Sequence, residues 1–230
     1  MSTSNNNSEH RMTKEQNILF AKRNLVDSIW KSVNLEGFNV TFPETYAIVE
    51  QATLKNADMD AVIAANNLKL AWRYVLENID SPLDAAYLKA LHSEVARGIA
   101  LEWGKLRTDA VGVGGTSYIP PVSTEEALGE GLASMARIGH PVERAMELCA
   151  YLIKGQFFWD CNKRTAMLAS NKVLIENGCG LLSIPIQQIE DFHEKLHAYY
   201  EHDEKEAFKC YLKEHCFLQP EINDRDYRLQ

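Results

Sequence analysis

Apolar residues recur at three- and four-residue spacing along most of the chain, and the polar positions between them carry helix-capping signals. Thr13-Lys14-Glu15-Gln16 forms a capping box ahead of Ile18, Leu19, Leu25, Val26, Ile29, Trp30 and Val33. That pattern predicts one helix, ending in Ser32–Gly37 with Gly37 just past the C-cap. Thr41-Phe42-Pro43-Glu44 opens a short helix reaching about Gln51, with proline tolerated in the first turn. Asp58 to Asn78 carries Val62, Ile63, Leu68, Ala71, Trp72, Val75 and Leu76 on one face. Pro82 opens the next helix, with Leu83, Tyr87, Leu88 and Leu91 before Gly98. Further helices start at Ser123–Glu126, at Pro141 and at Pro185.

One stretch breaks the pattern. Val111-Gly112-Val113-Gly114-Gly115-Thr116-Ser117-Tyr118-Ile119-Pro120-Pro121 alternates β-branched residues with glycines and ends on prolines, which predicts a hairpin turned by Gly-Gly. It is neither a Walker loop nor a dinucleotide fingerprint, because no Gly-Lys-Ser/Thr follows and Ser117 stands where a third glycine belongs.

A chain of 230 residues with 46% apolar and 24% charged positions has the composition of an ordinary globular protein and can bury a sizeable core. No apolar run approaches the roughly 18 residues of a membrane helix, so no membrane partner is expected. A net charge of −8 argues against non-specific nucleic-acid binding. The polar N-terminus has no apolar signal segment, and the five cysteines form no paired pattern. Both point to a reducing cytoplasm.

The candidate chemistry lies between two predicted helices, in Gly155–Ala169. The apolar run Phe157-Phe158-Trp159 enters a polar cluster, Asp160 to Thr165. Ala166, Ala169, Val173 and Leu174 then resume helical spacing up to Gly178. The unpaired N–H groups of the new helix, its dipole, Lys163 and Arg164 together suit an anion. Asp160 adds a hard oxygen ligand fit for Mg²⁺ bridging phosphates. The same residues also read as a charged helix start in solvent.

Gln156-Phe157-Phe158-Trp159-Asp160-Cys161-Asn162-Lys163-Arg164-Thr165-Ala166 resembles the Fic-family signature, His-x-Phe-x-Asp/Glu-Gly-Asn-Gly/Lys-Arg, in a form nearer the Doc branch. Phe158, Asp160, Asn162 and Arg164 match. Gln156 replaces the histidine, Cys161 the glycine, and Met167 a frequent second arginine. Ser32-x-x-x-Glu36-Gly37 resembles the family's Ser/Thr-x-x-x-Glu-Gly/Asn inhibitory motif. Gly115, Thr116, Ser117 and Tyr118 fall in a segment similar to the flap that holds a target peptide by strand addition.

The resemblance implies an all-α bundle with one small β-hairpin as the flap. After a polar N-terminal segment whose composition reads as a flexible tail over 1–12, it implies N-terminal helices with the inhibitory segment over 13–79, a core over 80–216 and an irregular tail over 217–230. It implies ATP and Mg²⁺, and AMP transfer to a hydroxyl of a target protein docked at the flap, with a homodimer left open. Phe158 would anchor the loop and Asp160 would hold the metal. Asn162, Cys161 and Lys163 would bind nucleotide. Arg164 would neutralise developing charge, and Glu36, lacking an arginine at Met167, would engage Arg164 or Lys163. With Gln156 at the base position, a slow or altered transferase and an inactive nucleotide-binding regulator or antitoxin-like protein both stay open.

A second motif competes. His193-Glu194-Lys195-Leu196-His197 is a formal His-Glu-x-x-His, which would make a zinc hydrolase. Its flanks are strongly charged, and no motif fixes a third ligand, although Glu206, Glu214 and His215 are available.

Overall fold

The computed structural model describes residues 12–52 and 58–220. The tail expected over 1–12 therefore lies outside the described residues except for Met12. Ten α-helices are formed among the described residues: α1 (Lys14–Arg23), α2 (Leu25–Leu35), α3 (Phe42–Val49), α4 (Met59–Glu77), α5 (Ala85–Ala96), α6 (Glu125–Ala136), α7 (Pro141–Gly155), α8 (Asn162–Glu176), α9 (Ile189–His202) and α10 (Lys205–His215). The fold is all-α, with one two-stranded antiparallel sheet, β1 (Leu181–Leu182) against β2 (Phe217–Leu218).

α8 is the axis. Every residue from Arg164 to Ile175 is buried, as expected of a helix that is enclosed nearly all round. α7 precedes it across a short loop and packs along it, forming a helical hairpin. α1, α4, α5 and β1 close the remaining sides. One hydrophobic core contains Ile29 and Val33 of α2, Leu68 and Trp72 of α4, Leu88 and Leu91 of α5, and Leu168 and Leu174 of α8. The N-terminal helices are thus continuous in packing with the rest.

Local sequence explains most boundaries. Thr13 and Thr41 both complete capping boxes, and Thr124 caps α6. Gly37 takes φ +89°, its N–H donates to Asn34 O, and Phe38 N–H donates to Val33 O. This Schellman closure fixes where α2 stops and places Glu36 at its C-cap.

Four expectations need correction. The first predicted helix is two, because Asn24 leaves helical geometry and turns its side-chain amide onto Phe20 O at 2.9 Å. Pro82 does not open α5; Asp84 does, accepting from Tyr87 N–H at 2.8 Å. The irregular tail expected from 217 begins with β2, whose partner β1 was not foreseen. Finally, residues 111–121 form no strand. A cross-link from Val113 N–H to Tyr118 O and a turn from Thr116 N–H to Val113 O bend the segment. Ser117 N–H and Gly115 O bond to side chains instead of a ladder, and two prolines remove further donors.

Candidate functional site

The α7–α8 loop, Gln156–Cys161, is held from both sides. Phe158 is buried and stacks on the His92 ring of α5, with centroids 3.8 Å apart and planes 7° from parallel. His92 Nδ1 accepts from Gly104 N–H at 3.0 Å, so its Nε2 carries the proton and donates to Asp160 O at 3.1 Å. Burial pushes the His92 pKa down to about 4, which keeps this neutral tautomer in place. Arg107, 1% exposed, donates Nε to Gln156 O at 2.5 Å, Nη1 to Asp109 O at 2.6 Å and Nη2 to Pro121 O. It clamps the base of the 109–121 segment onto the loop.

Inside the loop, Gln156 and Cys161 both adopt left-handed backbone, at φ +44° and +60°. Glycine takes that conformation freely, whereas these side chains hold it against a steric cost. Cys161 is buried and its thiol is pushed up to about 12 by burial, so it stays protonated. Gln156 Nε2 donates to Ile153 O at 2.8 Å and to Tyr200 OH at 3.0 Å, while its Oε1 accepts from Asn162 Nδ2 at 3.1 Å. The whole amide is engaged. Asn162 also donates to Phe158 O and accepts from Phe158 N–H. Its side chain shapes the loop through these bonds.

The charged groups lie at the start of α8. Arg164 is 5% exposed, yet its Nε and Nη1 make no hydrogen bond among the described residues. Glu36 Oε1 sits 3.7 Å from Arg164 Nε, and Oε2 sits 3.7 Å from Lys163 Nζ. Asp160 Oδ1 is 3.7 Å from Arg164 Nη2 and also accepts from Cys161 N–H. Met167 is buried in the core, so Glu36 is shared between the two cations the sequence left it. Ser32, one turn earlier on α2, is half-buried and takes no part in these ion pairs.

A cavity of about 490 Å³ opens beside Glu36, Asp160 and Lys163. Glu36, Gln156, Asp160, Lys163, His197 and the Gly112–Thr116 turn all contribute to its wall. Tyr118 lies just outside, stacked on Tyr200 with centroids 5.5 Å apart. The two histidines of the His-Glu-x-x-His motif face this space but point to different partners. His193 lies by the Leu35 backbone, and His197 Nε2 lies 3.2 Å from Gly115 O. No group of three or more His, Cys, Asp or Glu is placed to hold a metal ion among the described residues. No helix there is long and apolar enough to cross a membrane.

His92, Arg107, Tyr200 and Glu201 were missed by sequence reasoning. Arg107 alone had a local signal, a cation between an apolar leucine and the glycine-rich stretch. The others looked like ordinary members of helical faces.

Residues 82–174 match the profile of the Fic/DOC family. Among solved structures, Fic-1 (residues 134–508) from C. elegans superposes with a TM-score of 0.71 at 20% identity, covering 86% of this chain and 62% of that one. A Fic domain-containing signaling protein from Bacteroides thetaiotaomicron gives 0.68 at 16% identity, with 89% and 85% covered. A Fic family protein from Desulfovibrio desulfuricans G20 gives 0.65 at 17% identity, with 87% and 67% covered. No curated protein sequence matches the chain.

Proposed function

From the match of residues 82–174 to the Fic/DOC family, we propose that the chain is a self-restrained protein adenylyltransferase, binding ATP at the α7–α8 loop. The observation that carries this reading is Arg164: a nearly buried guanidinium at the start of a helix, whose Nε and Nη1 make no hydrogen bond among the described residues and whose nearest carboxylate, Glu36, stands 3.7 Å from Nε. Buried donors left without partners cost about 1–3 kcal/mol each, so such a group is built to receive an anion. A phosphate oxygen is the anion for which a planar guanidinium and a helix N-terminus are jointly suited.

Asp160, largely exposed, supplies a single carboxylate, which is as much protein as Mg²⁺ requires when phosphates provide further oxygens. When bound, the ion would neutralise phosphate charge. Lys163 and Arg164 add positive charge on the protein side. Glu36 places a carboxylate against both cations and so competes with the triphosphate for them. The target hydroxyl would form a bond to the α-phosphorus as the bond to pyrophosphate breaks, and its proton would pass to water. Gln156 cannot take that proton.

One observation favours a second reading, a nucleotide-binding regulator without transfer: the only acceptor oxygen of the Gln156 side chain is already bonded to Asn162. Incubation with α-labelled ATP and a protein lysate, beside a calorimetric ATP titration, separates the two. Slow protein labelling that Arg164→Ala abolishes supports the transferase. Tight ATP binding without labelling, even in Glu36→Gly, establishes the regulator. Absence of ATP binding in both forms overturns both readings.

A further inference from the structure

Among the described residues the His-Glu-x-x-His helix gathers no third metal-ligating side chain, but its next turn touches the segment where a protein substrate would dock. Glu201 of α9 receives both hydrogens of Ser117: the backbone N–H to one carboxylate oxygen, and Oγ–H to the other at 2.7 Å. One turn earlier on the same helical face, His197 Nε2 lies against Gly115 O at 3.2 Å. Gly115 O and Ser117 N–H are the acceptor and donor flanking Thr116, and no strand among the described residues uses them.

We propose that Glu201 and His197 are an internal occupant of the docking edge, standing in for the main chain of an extended protein segment. Resting on the reading above that a protein target docks at this segment, the proposal names what the target must displace. The chemistry of the stand-in states the chemistry of the partner. Ser117 N–H is offered an acceptor, and Gly115 C=O is offered a donor. An extended peptide carries both along one edge, as its own C=O and N–H groups. The two internal groups sit on a rigid helix, so they meet the edge without losing chain entropy. A flexible segment must be ordered before it can compete. Its other contacts have to make up the difference, which makes the pair a filter against weakly bound segments. The Glu201 carboxylate is held below the usual range by its bonds from the Ser117 hydroxyl and amide, so the contact persists through mildly acidic conditions.

This restraint is separate from Glu36. Glu36 competes with nucleotide phosphate at Lys163 and Arg164, whereas Glu201 competes with the polypeptide at Ser117. Removing the second should leave ATP binding alone.

The test is amide hydrogen exchange on the full chain, read at Ser117 by NMR, with and without a pool of random decapeptides built around one fixed Ser, Thr or Tyr. Glu201→Ala is expected to speed Ser117 exchange by at least about fivefold, the loss of a charge-assisted hydrogen bond. Glu201→Gln is expected to give a smaller effect, and ATP affinity should not change in either variant. The peptide pool should restore protection of Ser117 in Glu201→Ala at concentrations that leave the wild type unaltered, and His197→Ala should move the same way. Unchanged exchange in Glu201→Ala would overturn the proposal, because the contact would not hold the edge. Equal peptide protection in wild type and variant would overturn it too, because nothing would be displaced. Neither readout uses transfer, so a protein that never labels a target sinks the transferase reading and leaves this outcome to be decided by exchange.

Discussion

Glu36 Oε1 and Arg164 Nε lie 3.7 Å apart, and neither atom makes a hydrogen bond among the described residues. The pair faces across the gap without closing it. Two shielded atoms of opposite charge held beyond hydrogen-bond reach satisfy each other only partly. Phosphate oxygens entering beside Arg164 would gain a guanidinium but meet the Glu36 carboxylate. Glu36→Gly is therefore expected to tighten ATP binding by about tenfold or more, with AMP affected several-fold less, because like charges in a poorly solvated pocket are costly. The nucleotide-free variant should lose about 1–3 kcal/mol of stability, since Arg164 then has one partner fewer. Saturating ATP should recover it by mass action. Calorimetry for both nucleotides and chemical denaturation with and without ATP read these effects. Equal changes for ATP and AMP would make Glu36 an ordinary helix-end carboxylate.

Gln156 predicts a gain of function. Its amide ties α7, the loop and α9 together through Ile153, Asn162 and Tyr200, and no atom of it can accept a proton near neutral pH. Gln156→His in the Glu36→Gly background should raise target labelling by at least ~10²-fold, the lower end of what a general base supplies. Arg164→Ala in the same protein should remove the gain. The histidine cannot reproduce all three amide bonds, so a stability loss of about 1–2 kcal/mol is expected alongside. A restored protein that binds ATP tightly but does not label would show that the loop geometry, with Cys161 in the glycine place, no longer aligns the phosphate.

His92 sets a pH dependence of folding. Its folded pKa, lowered to about 4 by burial, is below the ordinary value of 6.5. Between those values the unfolded chain holds a proton on this residue that the folded chain does not. Stability from this group is therefore complete above pH 6.5, falls as pH drops through the window, and levels off below about 4. A lowering of that size is worth roughly 3 kcal/mol across the window. Urea denaturation from about pH 7.5 to 4 in EDTA should show that slope, and His92→Gln should flatten it. A slope unchanged in the variant would assign the acid sensitivity to the carboxylates.

What could be read from the sequence was local. Thr13, Thr41 and Gly37 act on groups within a few residues, so the caps and the end of α2 follow from spacing. The signature residues Phe158, Asp160 and Arg164 sit at fixed offsets, and their gathering around one loop was legible for the same reason. The long-range partners were not. His92 meets a backbone carbonyl 68 residues away, Arg107 one 49 residues away, and Glu201 a serine 84 residues away. Nothing in the neighbourhood of each residue marks those meetings. The hairpin expectation failed similarly: alternation around Gly114-Gly115 shows where a chain can turn, but not whether its N–H groups find a strand or the side chains of α9.

Arg107 makes the last prediction, because it joins the two halves of the site. Its backbone N–H donates to Phe157 O at 3.0 Å, and its guanidinium bonds carbonyls of Gln156, Asp109 and Pro121. The carbonyls come from three points along the chain and meet different nitrogens, which suits a planar fork with five donors and defeats a single ammonium. Arg107→Lys keeps the charge but can satisfy one or two of them, leaving the remainder buried without donors. A loss of about 2–4 kcal/mol is expected. It should be local in its consequences: faster exchange of the Val113 amide, whose bond to Tyr118 O closes the turn, with ATP affinity held within about threefold, under 1 kcal/mol. Lys163 and Arg164, the cations proposed to meet phosphate, are fixed by α8 itself, so they should keep their places. If Arg107→Lys abolished ATP binding while the turn kept its slow exchange, the clamp would belong to the loop alone, and the turn would owe its position to Glu201 and His197.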